Sequence, residues 1–128
     1  MSYFSTVSKI SSKIIISIFL VMLLWWLSIY FRGLVDQLEN FSYGLLLGVL
    51  AIIGGLNGLI RSKEWGLLSS SIGKATILLS SGLITWGIGT LIFGYYNIAL
   101  NVDVPYPSLA DASYIISWPL WVWGMINL

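Results

Sequence analysis

Few residues of this 128-residue chain could carry out chemistry. There is no cysteine and no histidine. Their absence excludes disulfides, thiolate and imidazole metal sites, haem held by histidine, and any Ser-His or Cys-His nucleophilic pair. Among the acids, Asp111 is the candidate of most interest, because Tyr106, Tyr114 and Trp118 stand near it in the sequence. A carboxylate beside three large aromatic residues could line a ligand pocket, and ionisable groups next to membrane helices are functional candidates by default. The same stretch also has a purely architectural reading. Pro105 and Pro107 fix φ and push the residue before each of them out of the helical region. Ser108 followed by Asp111 then reads as a helix N-cap with an acid at the third helical position, a capping box with aspartate in place of glutamate or glutamine. The carboxylate would sit at the positive end of the helix dipole. The two readings are compatible, since a ligand site can use a loop whose shape prolines fix.

Two other motifs carry less. Ser71-Ile72-Gly73-Lys74-Ala75-Thr76 looks like a phosphate-binding loop, but that loop needs a glycine where the chain has Leu68 and a hydroxyl residue where it has Ala75. Lys74 is therefore read as a membrane-surface anchor. Asn40-Phe41-Ser42 matches a glycosylation sequon, a pattern short enough to arise by chance. Asp111 alone does not supply a convergent acid, base or metal set, so no catalytic residue, cofactor or metal is expected.

The elements that must position these residues follow from composition. Hydrophobic residues make up 58% of the chain and charged residues 9%, against roughly 25% charged in soluble domains. The apolar residues fall into runs long enough to cross a bilayer. The expectation is an all-α, polytopic transmembrane helical bundle of about four helices, at roughly 10–31, 43–60, 75–96 and 109–128, forming a single transmembrane domain over 1–128 with no soluble domain. The first run ends in Trp25, Trp26, Tyr30 and Phe31, aromatic residues that anchor at a headgroup boundary, so it reads as an uncleaved helix rather than a signal peptide. Residues 61–74, with Arg61, Lys63, Glu64, Lys74 and Trp65, are placed at the interface. The last helix holds Pro119, which should free a carbonyl and bend it. About 20 residues at ~1.5 Å each give it ~30 Å, one hydrocarbon thickness.

Basic residues are retained on the cytoplasmic side. Lys9, Lys13, Arg61, Lys63 and Lys74 fall on one side of this layout, and Arg32 falls on the other with Asp36, Glu39, Asp103 and Asp111. The expected arrangement is multi-pass in the inner or plasma membrane, with both ends cytoplasmic and loops 33–42 and 97–108 outside. A formal net charge of +1 leaves no surface able to neutralise a nucleic-acid backbone.

Helices in lipid associate through small residues. Gly44, Gly48, Ala51, Gly55 and Gly58 recur at steps of four and three on one face of the second helix. Ser71, Ala75, Leu78, Gly82, Thr85 and Gly89 do so on the third, and the two stripes are expected to meet as an antiparallel pair. Asn57 is expected to hydrogen-bond a neighbouring helix near the interface.

The stretch Pro105-Tyr106-Pro107-Ser108-x-Ala110-Asp111, followed by Tyr114 and Pro119, resembles a signature in multi-helix membrane modules at the N-termini of bacterial signalling proteins, GGDEF-type diguanylate cyclases and sensor histidine kinases among them. Trp86-Gly87-x-Gly89 and Tyr95-Tyr96 are similar to what precedes it there. The likeness covers roughly Thr85 to Pro119. It implies a sensory input unit of seven or eight helices joined to a cytoplasmic output domain. A chain ending after about four helices would then be a truncated gene, a fragment or a stand-alone relative. The expectation drawn from it is a membrane-embedded sensory module with Pro105 to Tyr114 as the sensing site and a cytoplasmic signalling partner. The alternative is a small transport or channel component that forms homo-oligomers through its glycine faces.

Overall fold

The computed structural model describes residues 2–35 and 37–128, with side chains described from Lys13 onward. The described residues are almost wholly helical: α1 spans Ser2–Phe31, α2 Leu38–Arg61, α3 Ser71–Tyr95 and α4 Leu109–Ile126. Two short 3-10 turns, Ser62–Trp65 and Leu67–Ser69, join α2 to α3, and a π-helical turn, Tyr96–Leu100, extends α3. The helices start earlier than the apolar runs do at α1, α2 and α3. The apolar window marks the part of a helix that suits hydrocarbon, whereas backbone hydrogen bonding carries the helix on through flanking polar residues. At α2, for example, Glu39 in the first turn complements the helix dipole.

Three helical stretches are long and apolar enough to cross a membrane: Lys13–Phe31, Leu38–Trp65 and Ser71–Leu100. The fourth expected span is not among them. α4 has only 18 residues, and Asp111 and Pro119 lie within it. At ~1.5 Å per residue it is ~27 Å long, slightly under the ~30 Å of a hydrocarbon core. Many large apolar side chains are exposed, including Leu24 at 65% and Phe31 at 80%, as suits a surface that faces lipid rather than water.

The chain divides into two compact units, Met1–Tyr43 and Gly44–Leu128, with the boundary inside α2. In the first, α1 ends in a Schellman turn. Gly33 takes the left-handed conformation at φ +65°, and the Leu34 N–H donates to the Ile29 carbonyl at 3.1 Å. Arg32 pairs with Glu39 and also donates to the Ser28 carbonyl and hydroxyl. The Trp25 indole donates to the same Glu39 oxygen at 3.3 Å, and Trp25 meets Tyr43 edge-on at 5.4 Å. Arg32, the one cation placed on that side of the membrane by the sequence, is thus paired with an acid. Asp36, grouped with it, lies outside the described residues.

In the second unit α3 lies between α2 and α4, and the contacts are built on small residues. A Cβ added to Gly48 would stand 3.1 Å from the Gly87 carbonyl oxygen, and one added to Gly55 would stand 2.7 Å from that of Ser80. On the other side of α3, a Cβ at Gly82 would meet the Ser117 carbonyl at 3.1 Å, and one at Gly89 the Ala110 carbonyl at 3.1 Å. Ala110, Ser117 and Gly124 are the buried residues of α4, spaced seven apart like the Ala75, Gly82 and Gly89 positions they oppose. Heptad spacing keeps one seam of each helix in register along an antiparallel pair.

These contacts correct the expected pairing. The Ala75–Gly82–Gly89 stripe of α3 packs on α4, while the α2 glycines meet Ser80, Ile84 and Gly87. The cause is geometric: residues two apart stand ~200° apart around a helix, so rows offset by two positions occupy opposite faces. Thr85, placed in the first row, bonds its own helix at the Gly82 carbonyl, 3.0 Å away. Gly44 has no neighbour within 4 Å of an added Cβ, so it takes no part in the α2–α3 contact. Asn57 is exposed rather than set against a neighbouring helix.

Candidate functional site

The loop before α4 and the first two turns of that helix carry the residues singled out above. Pro105, Tyr106 and Pro107 are exposed, Tyr106 at 90%. Ser108 is the N-cap in extended conformation, φ −124° and ψ 170°. Its hydroxyl accepts from the Asp111 N–H at 3.3 Å, and the Asp111 carboxylate accepts from the Ser108 N–H at 2.7 Å and from its hydroxyl at 2.9 Å. One carboxylate oxygen therefore closes a reciprocal capping box, which satisfies backbone donors that the first turn would leave open. Because Asp111 and Ser108 hold one another, the loop is fastened to α4 by side chains as well as by the backbone.

One turn further on, Tyr114 points at α3. Its ring covers Gly89, where an added Cβ would lie 2.9 Å from the ring edge, and it stands 6.4 Å from the Trp86 ring. Its hydroxyl donates to the Thr90 hydroxyl at 3.3 Å, and Thr90 in turn donates to the Trp86 carbonyl at 3.1 Å. Thr90 is buried and also abuts α2, because a Cβ on Gly48 would lie 3.2 Å from the Thr90 Cβ. Below this node Ser117, fully buried, donates to the Tyr114 carbonyl at 2.7 Å. The buried hydroxyls of Thr90 and Ser117 thus find acceptors inside the unit, as buried polar groups generally do.

Asp111, Tyr114 and Trp118 follow one another along α4 at steps of three and four, so the helix brings all three to one side. Their environments differ. Asp111 is half-buried in its cap, Tyr114 is engaged with α3, and Trp118 is 64% exposed with its ring edge-on to Trp121 at 5.9 Å. Tyr106 stays outside this set. A groove of about 360 Å³ does lie nearby, lined by Leu91, Ile92, Tyr95, Tyr96, Leu100 and Leu109, and none of the four residues lines it. The arrangement is two separate sets of hydrogen bonds on one helix: Asp111 accepts from Ser108 at the loop, and Tyr114 one turn on donates to Thr90 of α3.

Thr90 was not among the residues expected to matter. Its neighbour Gly89 belongs to the stripe of small residues on α3, but the Tyr114 partnership spans 24 positions and leaves no local pattern. Ser117 did leave one, since Ala110, Ser117 and Gly124 form a heptad row of small residues. No family model, no curated protein and no solved structure matches the chain.

Proposed function

We propose that the chain is a membrane-embedded sensory input module in which loop 101–108 receives an outward signal and α4 relays it to α3 and α2. The observation that carries this reading is a series of contacts joined through the α4 backbone: the Ser108–Asp111 cap ties the loop to the first turn of α4, and one turn on Tyr114 bonds Thr90, whose side chain lies against Gly48 of α2. Coupling between a loop and a helix pair needs a physical chain of contacts and an element with two arrangements. The reading places the second arrangement at the α2–α3 seam, since closely packed helices shift between discrete packings rather than deforming smoothly. The likeness of Pro105 to Tyr114 to input modules of bacterial signalling proteins points the same way. The distribution of lysine and arginine favours a cytoplasmic N-terminus in an inner or plasma membrane, which puts loop 101–108 outside.

The absence of native cysteine makes site-directed spin labelling direct. Nitroxides at Ile60 and Met125, near the ends of α2 and α4, would be measured by pulsed dipolar spectroscopy in reconstituted bilayers. The relay predicts that Asp111→Asn and Tyr114→Phe each shift or broaden the distance distribution. Distributions identical to that of the unaltered chain in both variants would sink the relay.

A further inference from the structure

The segment between α2 and α3 has features that the relay does not use. Arg61, Lys63 and Lys74 are exposed there against a single acid, Glu64. Between Lys63 and Lys74 stand four large apolar residues that the protein leaves uncovered: Trp65 at 53%, Leu67 at 44%, Leu68 at 66% and Ile72 at 47% exposed. Two 3-10 turns hold this sequence in place, joined at Gly66 in the left-handed conformation with φ +83°. Leu67 is left-handed too, at φ +51°, a conformation that branched side chains seldom adopt and that persists only where surroundings impose it. Those surroundings are visible. The Leu67 backbone lies directly on Gly73, where any Cβ would overlap it, and the Ser70 hydroxyl both donates to the Trp65 carbonyl and caps α3 at the Gly73 N–H, 2.9 Å away. The turns are thus fixed in a shape that presents leucines and lysines together.

Lys74 adds a second anomaly. It sits in the first turn of α3, which has no acid, and a cation at a helix N-terminus opposes the helix dipole. That end of α3 therefore concentrates positive potential with nothing in the segment to neutralise it except Glu64.

We infer that Arg61–Lys74 is a binding surface for anionic phospholipid headgroups. Leu67 and Leu68 enter the acyl boundary, Trp65 lies at headgroup level, and Arg61, Lys63 and Lys74 meet lipid phosphates. Long basic side chains reach such phosphates from a helix end by snorkelling, and basic residues beside a membrane helix draw anionic lipid. Charge complementarity selects this occupant over a neutral lipid, and exposed apolar side chains among the cations select a bilayer over a soluble anion. The inference is independent of the sensory reading.

The test uses the full chain in vesicles of equal parts phosphatidylcholine and phosphatidylglycerol, with spin-labelled analogues of each lipid reporting association with the protein. The unaltered chain should favour phosphatidylglycerol by about fivefold at low salt. The preference should collapse near 1 M salt, where the screening length is ~3 Å. The pair Lys63→Gln, Lys74→Gln should lose most of it, the pair Lys63→Arg, Lys74→Arg should keep it, and the pair Lys9→Gln, Lys13→Gln should leave it largely intact. Equal association of both lipids with the unaltered chain overturns the inference even if a variant fails to insert. So does a preference that survives high salt or the Lys63 and Lys74 glutamine pair, or one abolished by the Lys9 and Lys13 pair.

Discussion

Gly48 and Gly87 are so close that a methyl group on either would press on the other's backbone, with the Gly48 carbonyl oxygen 2.7 Å from a Cβ placed on Gly87. Two helices in lipid have no hydrophobic drive toward one another and associate through the contacts that small residues permit. Gly87→Val should therefore push α3 off α2 and lower stability by roughly 1–3 kcal/mol, the usual cost of forcing bulk into a filled interior. Gly44→Val, where an added Cβ meets nothing within 4 Å, should change it little. Thermal or denaturant unfolding in detergent micelles decides the matter, and equal effects at the two positions would contradict the seam described here.

The capping box gives a second test. Ser108→Ala and Asp111→Ala each remove one half of a reciprocal pair, and loss of an N-cap costs about 1 kcal/mol, within roughly 0.5–2 kcal/mol. Because the two side chains bond one another, the double variant should cost less than the two single effects added. Full additivity in a double-mutant cycle would show that each residue acts separately.

How much of this was readable in advance depended on whether the rule was local. The apolar runs announced α1, α2 and α3 because hydropathy over one turn after another is a property of contiguous sequence, and Ser108 with Asp111 announced the start of α4 for the same reason. The ends of the helices were less legible, since Ser2 to Lys9 and Leu38 to Ser42 are polar enough to resemble loop yet continue the helix. Partner choice was least legible. α3 carries small residues on two opposite faces, at Ser80 and Gly87 and at Gly82 and Gly89, and periodicity identifies the faces without saying which neighbour each one meets. Likewise Asp111 and Tyr114 stood out by type, but the engagement of Tyr114 with Thr90 depends on the antiparallel register of α3 and α4.

That register makes Tyr114 a third test. Tyr114→Phe keeps the ring over Gly89 and removes the hydroxyl that donates to Thr90. Hydrogen bonds between membrane helices average about 0.6 kcal/mol, so the expected loss is of that size. Tyr114→Ala also removes the ring and should cost about 3–5 kcal/mol if the space stays unfilled. A phenylalanine variant as unstable as the alanine variant would mean that the hydroxyl, rather than the ring, holds α4 to α3.

The proposed orientation can be tested through the same cysteine-free background. Arg32 is the one basic residue assigned to the outer side, and its pairing with Glu39 reduces any pull it exerts toward the cytoplasm. Arg61, Lys63 and Lys74 face a single acid and should dominate. A cysteine at Asp103 should accordingly react with a membrane-impermeant maleimide in intact cells. A cysteine at Lys63 should react only after the membrane is opened. The reverse pattern would place loop 101–108 in the cytosol, where it could not receive an outward signal, and the sensory reading would fall with the orientation.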